Sequence, residues 1–168
     1  MENDADFIFS WATPDDAELL AEMRLEMRRE RETVACRIPE TEFRRRNVEF
    51  FRTALEGECF LSCIARSSDG EAAACSGLSI EIHPPTYANP GGKLGYITNM
   101  YTRPAWRKRG LARQLVERLI EEARRRGCAQ IELNAAPMGR QLYLDCGFRP
   151  IDGEMRLDLP SAPTLPEV

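Results

Sequence analysis

A reversal of charge sign in the middle of the chain restricts what this sequence can build. The run NMYTRPAWRKRGLARQ, from Asn99 to Gln114, holds five cations (Arg103, Arg107, Lys108, Arg109 and Arg113) and no acid, in a chain of formal net charge −4. Its apolar start reads as a strand, Arg107 to Gly110 as a basic turn, and Leu111 onward as a helix. The first turn of a helix leaves backbone N–H groups without partners and is the positive end of the macrodipole, so it suits a phosphate. Gly110 has no Cβ and would let the backbone approach a pyrophosphate, with the flanking Arg and Lys side chains adding charge-assisted hydrogen bonds. The pattern Arg107-x-x-Gly110-x-Ala112 contains neither the Gly-Lys-Ser/Thr of a P-loop nor a G-x-G-x-x-G, which sets those two cradles aside. The same residues also read as a solvated turn with an ordinary turn glycine.

Around this run the chain alternates strand and helix signals. Phe7 to Trp11 alternates and is aromatic-rich, a first strand. Thr13 as N-cap, Pro14 at the first position and the acids after it announce a helix to about Glu32. Leu19, Leu20, Met23 and Met27 give that helix a buried stripe, with Arg24, Glu26, Arg28 and Arg29 mostly outward. Arg31 to Ile38 is a loop. Pro39 opens a second helix with Phe43, Phe50, Phe51, Ala54 and Leu55 as apolar positions, ended by Gly57. Cys59 to Ala65 and Ala72 to Ile82 read as a hairpin about a Ser-Ser-Asp-Gly turn. The loop from His83 to Gly92 holds three prolines and two glycines and cannot continue a ladder. Gly95 to Thr102 is the next strand. Leu111 to Arg126 is a helix with Leu111, Leu115, Leu119, Ile120 and Ala123 on one face and cations at its negative end. Cys128 to Asn134 is a strand, Met138 to Cys146 a short helix, and Glu154 to Leu159 a last strand. Residues 1–160 are expected as one domain and 161–168 as a frayed tail.

At 168 residues, one core burying about two-thirds of the unfolded surface is expected. No apolar run approaches the ~20 residues of a membrane span, and the acidic start is unlike a signal peptide, so a cytoplasmic location is expected. The six cysteines form no C-x-x-C and there is one histidine, which gives little for a metal site. The thiols read as reduced, several of them within strands. A sequence pI near 5.2 argues against bulk binding to nucleic acid or anionic membrane, and a small polyanion fits the local patch better.

The order strand, Arg-x-x-Gly-x-Ala, amphipathic helix, strand, then Leu142-Tyr143-Leu144-Asp145-Cys146-Gly147-Phe148 resembles the GNAT superfamily of acyl-CoA-dependent N-acetyltransferases. The likeness is strong over Gly95 to Arg149 and holds in outline elsewhere. It implies a mixed α/β fold with a six- to seven-stranded, mostly antiparallel sheet, parallel only where it splays, and helices on both faces. It further implies acetyl transfer from acetyl-CoA to the primary amine of a small molecule or peptide, by direct attack in a ternary complex, with no metal. The matched positions put pyrophosphate contacts on Arg107, Lys108, Arg109, Gly110, Leu111, Ala112 and Arg113, and pantetheine contacts on the backbone of Met100, Tyr101 and Thr102 as an added strand. The backbone N–H of Met100 would stabilise the oxyanion, and Tyr143 matches the general acid.

The position where many members carry a pantetheine-binding Asn is Ala136 here, and Asn134, on the strand before it, is the nearest alternative. The segment before Tyr143 also resembles a recurrent variant with Pro-x-Gly ahead of the Tyr. For the general base, Glu81 is the leading candidate beside Glu132, Asn99 and His83, each of which also reads as an outward polar residue. Tyr143 on spacing alone also reads as a packing residue beside Leu142 and Phe148. The first two helices would wall the acceptor site, and many relatives dimerise. A non-catalytic acyl-CoA sensor is the rival reading; a nucleic-acid binder through Arg103 to Arg113 fits the acidic remainder poorly.

Overall fold

The computed structural model describes residues 7–31, 38–153 and 155–158. Strand β1 (Phe7–Trp11) leads through a 3-10 turn at Pro14–Asp16 into α1 (Ala17–Arg31). The Asp16 carboxylate accepts from the Thr13 N–H at 2.9 Å, closing the entry that Thr13-Pro14 announces. Helix α2 (Glu40–Glu56) starts after Pro39 and ends at Gly57. Then follow β2 (Phe60–Leu61), β3 (Cys63–Ser67), β4 (Ala72–Ile82), β5 (Lys93–Thr102), α3 (Leu111–Arg125), β6 (Gln130–Leu133) and α4 (Arg140–Asp145).

The six strands form one sheet in the order β1-β3-β4-β5-β6, with β2 also paired to β4. Every pairing is antiparallel except β5 with β6, which is parallel from Leu94–Gln130 to Ile97–Leu133. The expected first strand of the hairpin is broken at Ser62, which is buried and whose hydroxyl donates to the Ser76 carbonyl at 2.5 Å. Alternation along the strands divides the core. Ile64, Cys75 and Tyr101 pack with Leu20, Met23, Met27 and Phe51 of α1 and α2. Cys63, Ala65, Leu78 and Ile97 pack against Leu111, Leu115, Leu119 and Ala123 of α3 on the other face. Helices therefore cover both sides of the sheet.

Two expectations change, and two lie outside what the structure describes. Residues 155–158 form no strand, and Met155 and Leu157 are exposed, so the last strand is not formed there. The inter-helix loop between 32 and 37 and the tail lie outside the described residues. Phe50, expected on the apolar face of α2, is half exposed while Phe51 beside it is buried. Both rings meet Phe60, Phe50 edge-on at 5.5 Å and Phe51 tilted at 5.9 Å.

This contrast sets a stability test. Phe51→Ala should cost about 3–5 kcal/mol by leaving a core cavity, whereas Phe50→Ala should cost under about 2 kcal/mol, chiefly its edge contacts. Chemical denaturation of the two variants checks the order, and equal losses would place both rings in the core.

Candidate active site

The site begins where β5 stops pairing with β6. Past Ile97 and Leu133 the parallel ladder has no further rungs, so among the described residues the rest of β5 runs on with that edge unpaired while its other edge stays on β4. Between Thr98 and Tyr101 the β4–β5 register shifts, Gly77 facing Thr98 and Cys75 facing Tyr101. Asn99 and Met100 thus share Ser76 as a partner, which is a β-bulge. Asn99 carries the bulge in the left-handed region, φ +53, a conformation Asn tolerates better than other side chains. Its amide is buried between two supports. Arg24 donates to Asn99 Oδ1 at 3.3 Å, and Asn99 Nδ2 meets Cys75 Sγ at 3.8 Å. Asn99 is therefore built into the strand and is not presented to solvent as a base.

Beyond β5, a 3-10 turn at Pro104–Trp106 leads to the start of α3. Trp106 anchors it, standing edge-on to Phe7 at 5.5 Å, and Arg109 lies over the Trp106 ring at 5.1 Å. Lys108 (φ +63) and Gly110 (φ +77) both take left-handed backbone to aim the chain into the helix. Space around Gly110 is open within 4 Å on the side a Cβ would occupy. No side chain caps the α3 N-terminus and no acid stands in its first turn. Fixed partial positive charge, open space and nearby cations are what a pyrophosphate requires, so these residues fit one.

The five cations of the central run do not act as one patch. Arg103 forks onto Glu26 of α1 (3.0 and 2.8 Å) and donates to the Ala72 carbonyl at 3.0 Å. Arg107 donates to the Thr102 carbonyl at 3.0 Å and is paired with Glu30. Glu30 also accepts from the Tyr101 hydroxyl at 2.6 Å. These bonds to Tyr101 and Arg107 hold the Glu30 carboxyl below its usual 4.5, and burial together with Glu30 pushes the Tyr101 phenol up. Lys108 and Arg109 stay exposed at the helix start, and Arg113 lies 3.7 Å from Glu117 and 3.8 Å from Asp145. Arg24, Glu26 and Arg28, expected mostly outward, are half-buried for the same reason: α1 lies against this end of β5.

Tyr143 sits on α4. Gly139 lets its ring approach, since a Cβ there would stand 3.3 Å from Tyr143 Cε2. Gly147, at φ +91, turns the chain back so that Phe148 meets the Tyr143 ring edge-on at 5.8 Å. The Tyr143 carbonyl accepts from the N–H of Cys146 and of Phe148, closing that turn. Burial raises the phenol's pKa while the charge of Arg31, at the end of α1, pulls it down. Tyr143 and the α1 C-terminus thus face one another electrostatically. Asn134 is exposed just past β6, and Ala135 and Ala136 follow it. Glu81 lies elsewhere, opposite Leu94 on β4 and 3.1 Å from His83 Nε2. It is five residues from Ser76, about 17 Å of strand. Cys63 and Cys75 are buried, their thiols pushed up to about 11 and about 12, which keeps them neutral.

Sequence reasoning missed the bulge and the contacts of α1 with β5. An Asn amid an apolar strand was a signal for the first. The pairing of Glu26 and Glu30 with Arg103 and Arg107 had none, since the partners are 77 residues apart.

The Acetyltransferase (GNAT) family matches residues 9–148, and the chain belongs to that family. A predicted acetyltransferase from Clostridium acetobutylicum, solved with acetyl-CoA, superposes with a TM-score of 0.79 at 31% identity, covering 90% of this chain and 96% of that one. Glucosamine 6-phosphate N-acetyltransferase 1 of Oryza sativa subsp. japonica is 39% identical over 57 residues, 34% of each chain. Glucosamine 6-phosphate N-acetyltransferase of Trypanosoma brucei brucei is 32% identical over 75 residues, 45% of this chain and 51% of that one. The matched stretch thus spans a third to a half of these two relatives. Among the described residues no group of His, Cys, Asp and Glu could hold a metal ion, and no helix is long and apolar enough to cross a membrane.

The Glu30 junction gives a pH test. Because its folded pKa is depressed, its contribution is present above about 4.5 and lost as pH falls through the folded value. The Tm gap between the wild type and Glu30→Gln should therefore be widest near neutral pH and close progressively as pH falls below about 4.5. A gap independent of pH would remove the carboxylate from the junction.

Proposed function

We propose that the protein transfers the acetyl group of acetyl-CoA to the primary amine of a small molecule or peptide, by direct attack in a ternary complex. One observation carries the reading: the β5–β6 pair opens between an uncapped, basic helix start and a half-buried tyrosine. The family and the acetyl-CoA in the Clostridium structure support the donor. The names of the plant and trypanosome relatives support a small amine as acceptor.

In this reading Lys108, Arg109 and Arg113, with the first N–H groups of Leu111 and Ala112, hold the pyrophosphate above Gly110. Arg107 contributes less by direct contact than by fixing the Thr102 carbonyl at the end of β5. The backbone of Met100, Tyr101 and Thr102 holds the pantetheine along the edge that β6 leaves unpaired, with Asn134 at the facing strand end. The acetyl thioester supplies an activated acyl group. The Met100 N–H stabilises the oxyanion that forms as the amine attacks.

Tyr143 gives its phenolic proton to the departing sulfur. A phenol raised by burial stays protonated at neutral pH, as a general acid must. At its distance along β4, Glu81 would serve as base only through a chain of waters.

Tyr143→Phe should lower kcat by about 10²-fold or more while leaving acetyl-CoA affinity within about threefold of the wild type. Thiol release and calorimetric titration read the two quantities. Unchanged turnover would remove the acid role, and no turnover in the wild type with any amine would favour an acyl-CoA sensor. Lys108→Glu/Arg109→Glu should weaken acetyl-CoA binding by at least about tenfold, and more at low salt. Retained affinity would reject the α3 start as the phosphate site.

A further inference from the structure

The face of α1 that builds the core changes character along its length. Ala17, Leu20, Ala21, Met23 and Met27 are buried beneath it. The helical intervals that connect Leu20 to Met27 continue through Arg24 to Arg31, and those that connect Ala17 to Ala21 continue through Arg24 to Arg28. Three arginines therefore share the azimuth of the core stripe, in the half of the helix that lies along the opened part of β5. Arg24 reaches Asn99 at 3.3 Å, beside the bulge. Arg24 and Arg28 are half-buried, unlike most arginines. Arg31 lies near enough to Tyr143 for its charge to act on the phenol.

The acids of the same helix turn the other way. Glu22, Glu26 and Glu30 follow at four-residue intervals on the flank, and they face Arg103 and Arg107. The side of α1 turned toward Asn99 and Tyr143 is thus its cationic side. An acceptor with several ammonium groups would be repelled there, and a neutral one would gain nothing.

We propose that the acceptor amine carries an anionic group, phosphate or carboxylate, received by Arg24, Arg28 and Arg31 on the face of α1 beside the opening of the β5–β6 pair. This inference rests on the acetyl-transfer reading and names the acceptor class for the same site. Guanidinium groups bind either anion through charge-assisted, forked hydrogen bonds. The same charges do a second thing. Positive neighbours disfavour an ammonium, so they lower the pKa of the bound amine and help it attack neutral without a carboxylate close by. One ammonium proton leaves to water and the amine lone pair forms the C–N bond; the C–S electron pair leaves on sulfur, which takes the Tyr143 proton, and the second N–H proton, shed as the amide forms, returns through water to the Tyr143 phenolate.

The test is calorimetric titration of the full chain, saturated with CoA, against glucosamine 6-phosphate, L-glutamate, glucosamine and spermidine. At least one anionic amine should bind about tenfold or more tightly than glucosamine and spermidine, and the first two probes separate phosphate from carboxylate. Arg28→Gln/Arg31→Gln should weaken that anionic probe by about tenfold or more while leaving glucosamine unchanged. Because half-buried Arg28 also packs, the exposed Arg31 is changed alone as well and should give a part of the same loss.

Equal or tighter binding of glucosamine or spermidine, undiminished affinity in both variants, or no binding of either anionic amine would each overturn the proposal. Failure of acetyl transfer is read separately, by thiol release from acetyl-CoA with the amine that binds. An anionic amine that binds through these arginines but is not acetylated would sink the transferase reading and leave the anion site standing.

Discussion

The parallel ladder between β5 and β6 stops at Ile97 and Leu133, and most of what the protein can do follows from that stop. A strand edge carries unpaired N–H and C=O groups that must find partners. In the proposed reading the groups freed on β5 hold the donor between the positive start of α3 and the tyrosine of α4. The bulge at Asn99 belongs to the same event, since it re-aims β5 just after the last rung shared with β6. A straight β5 would either keep its partner or expose its edge elsewhere.

Charge is distributed around this opening in two layers. Exposed cations at the start of α3 face outward, where the proposed pyrophosphate would lie. Arg103 and Arg107 face inward and fasten the end of β5 to Glu26 and Glu30 of α1. The inward pairs are partly shielded from water, so they are screened less than the surface pairs along α2. Their main effect is positional. They set the distance between the strand that would hold the donor and the helix that would meet the acceptor.

Much of the frame was legible in residue order. Phe7 to Trp11, both helices after it, the α3 stripe and the position of Gly110 stand as their periodicity and punctuation indicate. The six-stranded, mostly antiparallel sheet with helices on both faces agrees with the resemblance. Less legible were features decided by contacts distant in sequence. Glu154 to Leu159 alternates like a strand, yet 155–158 pair with nothing because alternation provides no partner. Arg24 and Glu26 looked solvent-facing because helical spacing alone cannot say how far a helix overlaps the next layer. The position of Glu81, opposite Leu94 and five residues along β4 from the bulge partner Ser76, was likewise not readable from residue order, because the sequence does not reveal how far along β4 the sheet opens.

By itself the sequence determined the local alphabet of this protein. Thr13-Pro14 starts a helix, Gly110 turns into one, Tyr143 and Phe148 share a short helix and its return, and one basic run interrupts an acidic chain. These are properties of neighbouring residues, set by backbone sterics, caps and side-chain period. The tertiary structure decided which of those residues meet. It divided one run of five cations into a set that holds the fold and a set left at the helix start. It also left Arg24, Arg28 and Arg31 on one side of α1 and turned Glu26 and Glu30 to another, toward Arg103 and Arg107. The physical reason is that electrostatic and hydrogen-bond partners are chosen by distance in space, and packing two layers brings together groups more than 70 residues apart.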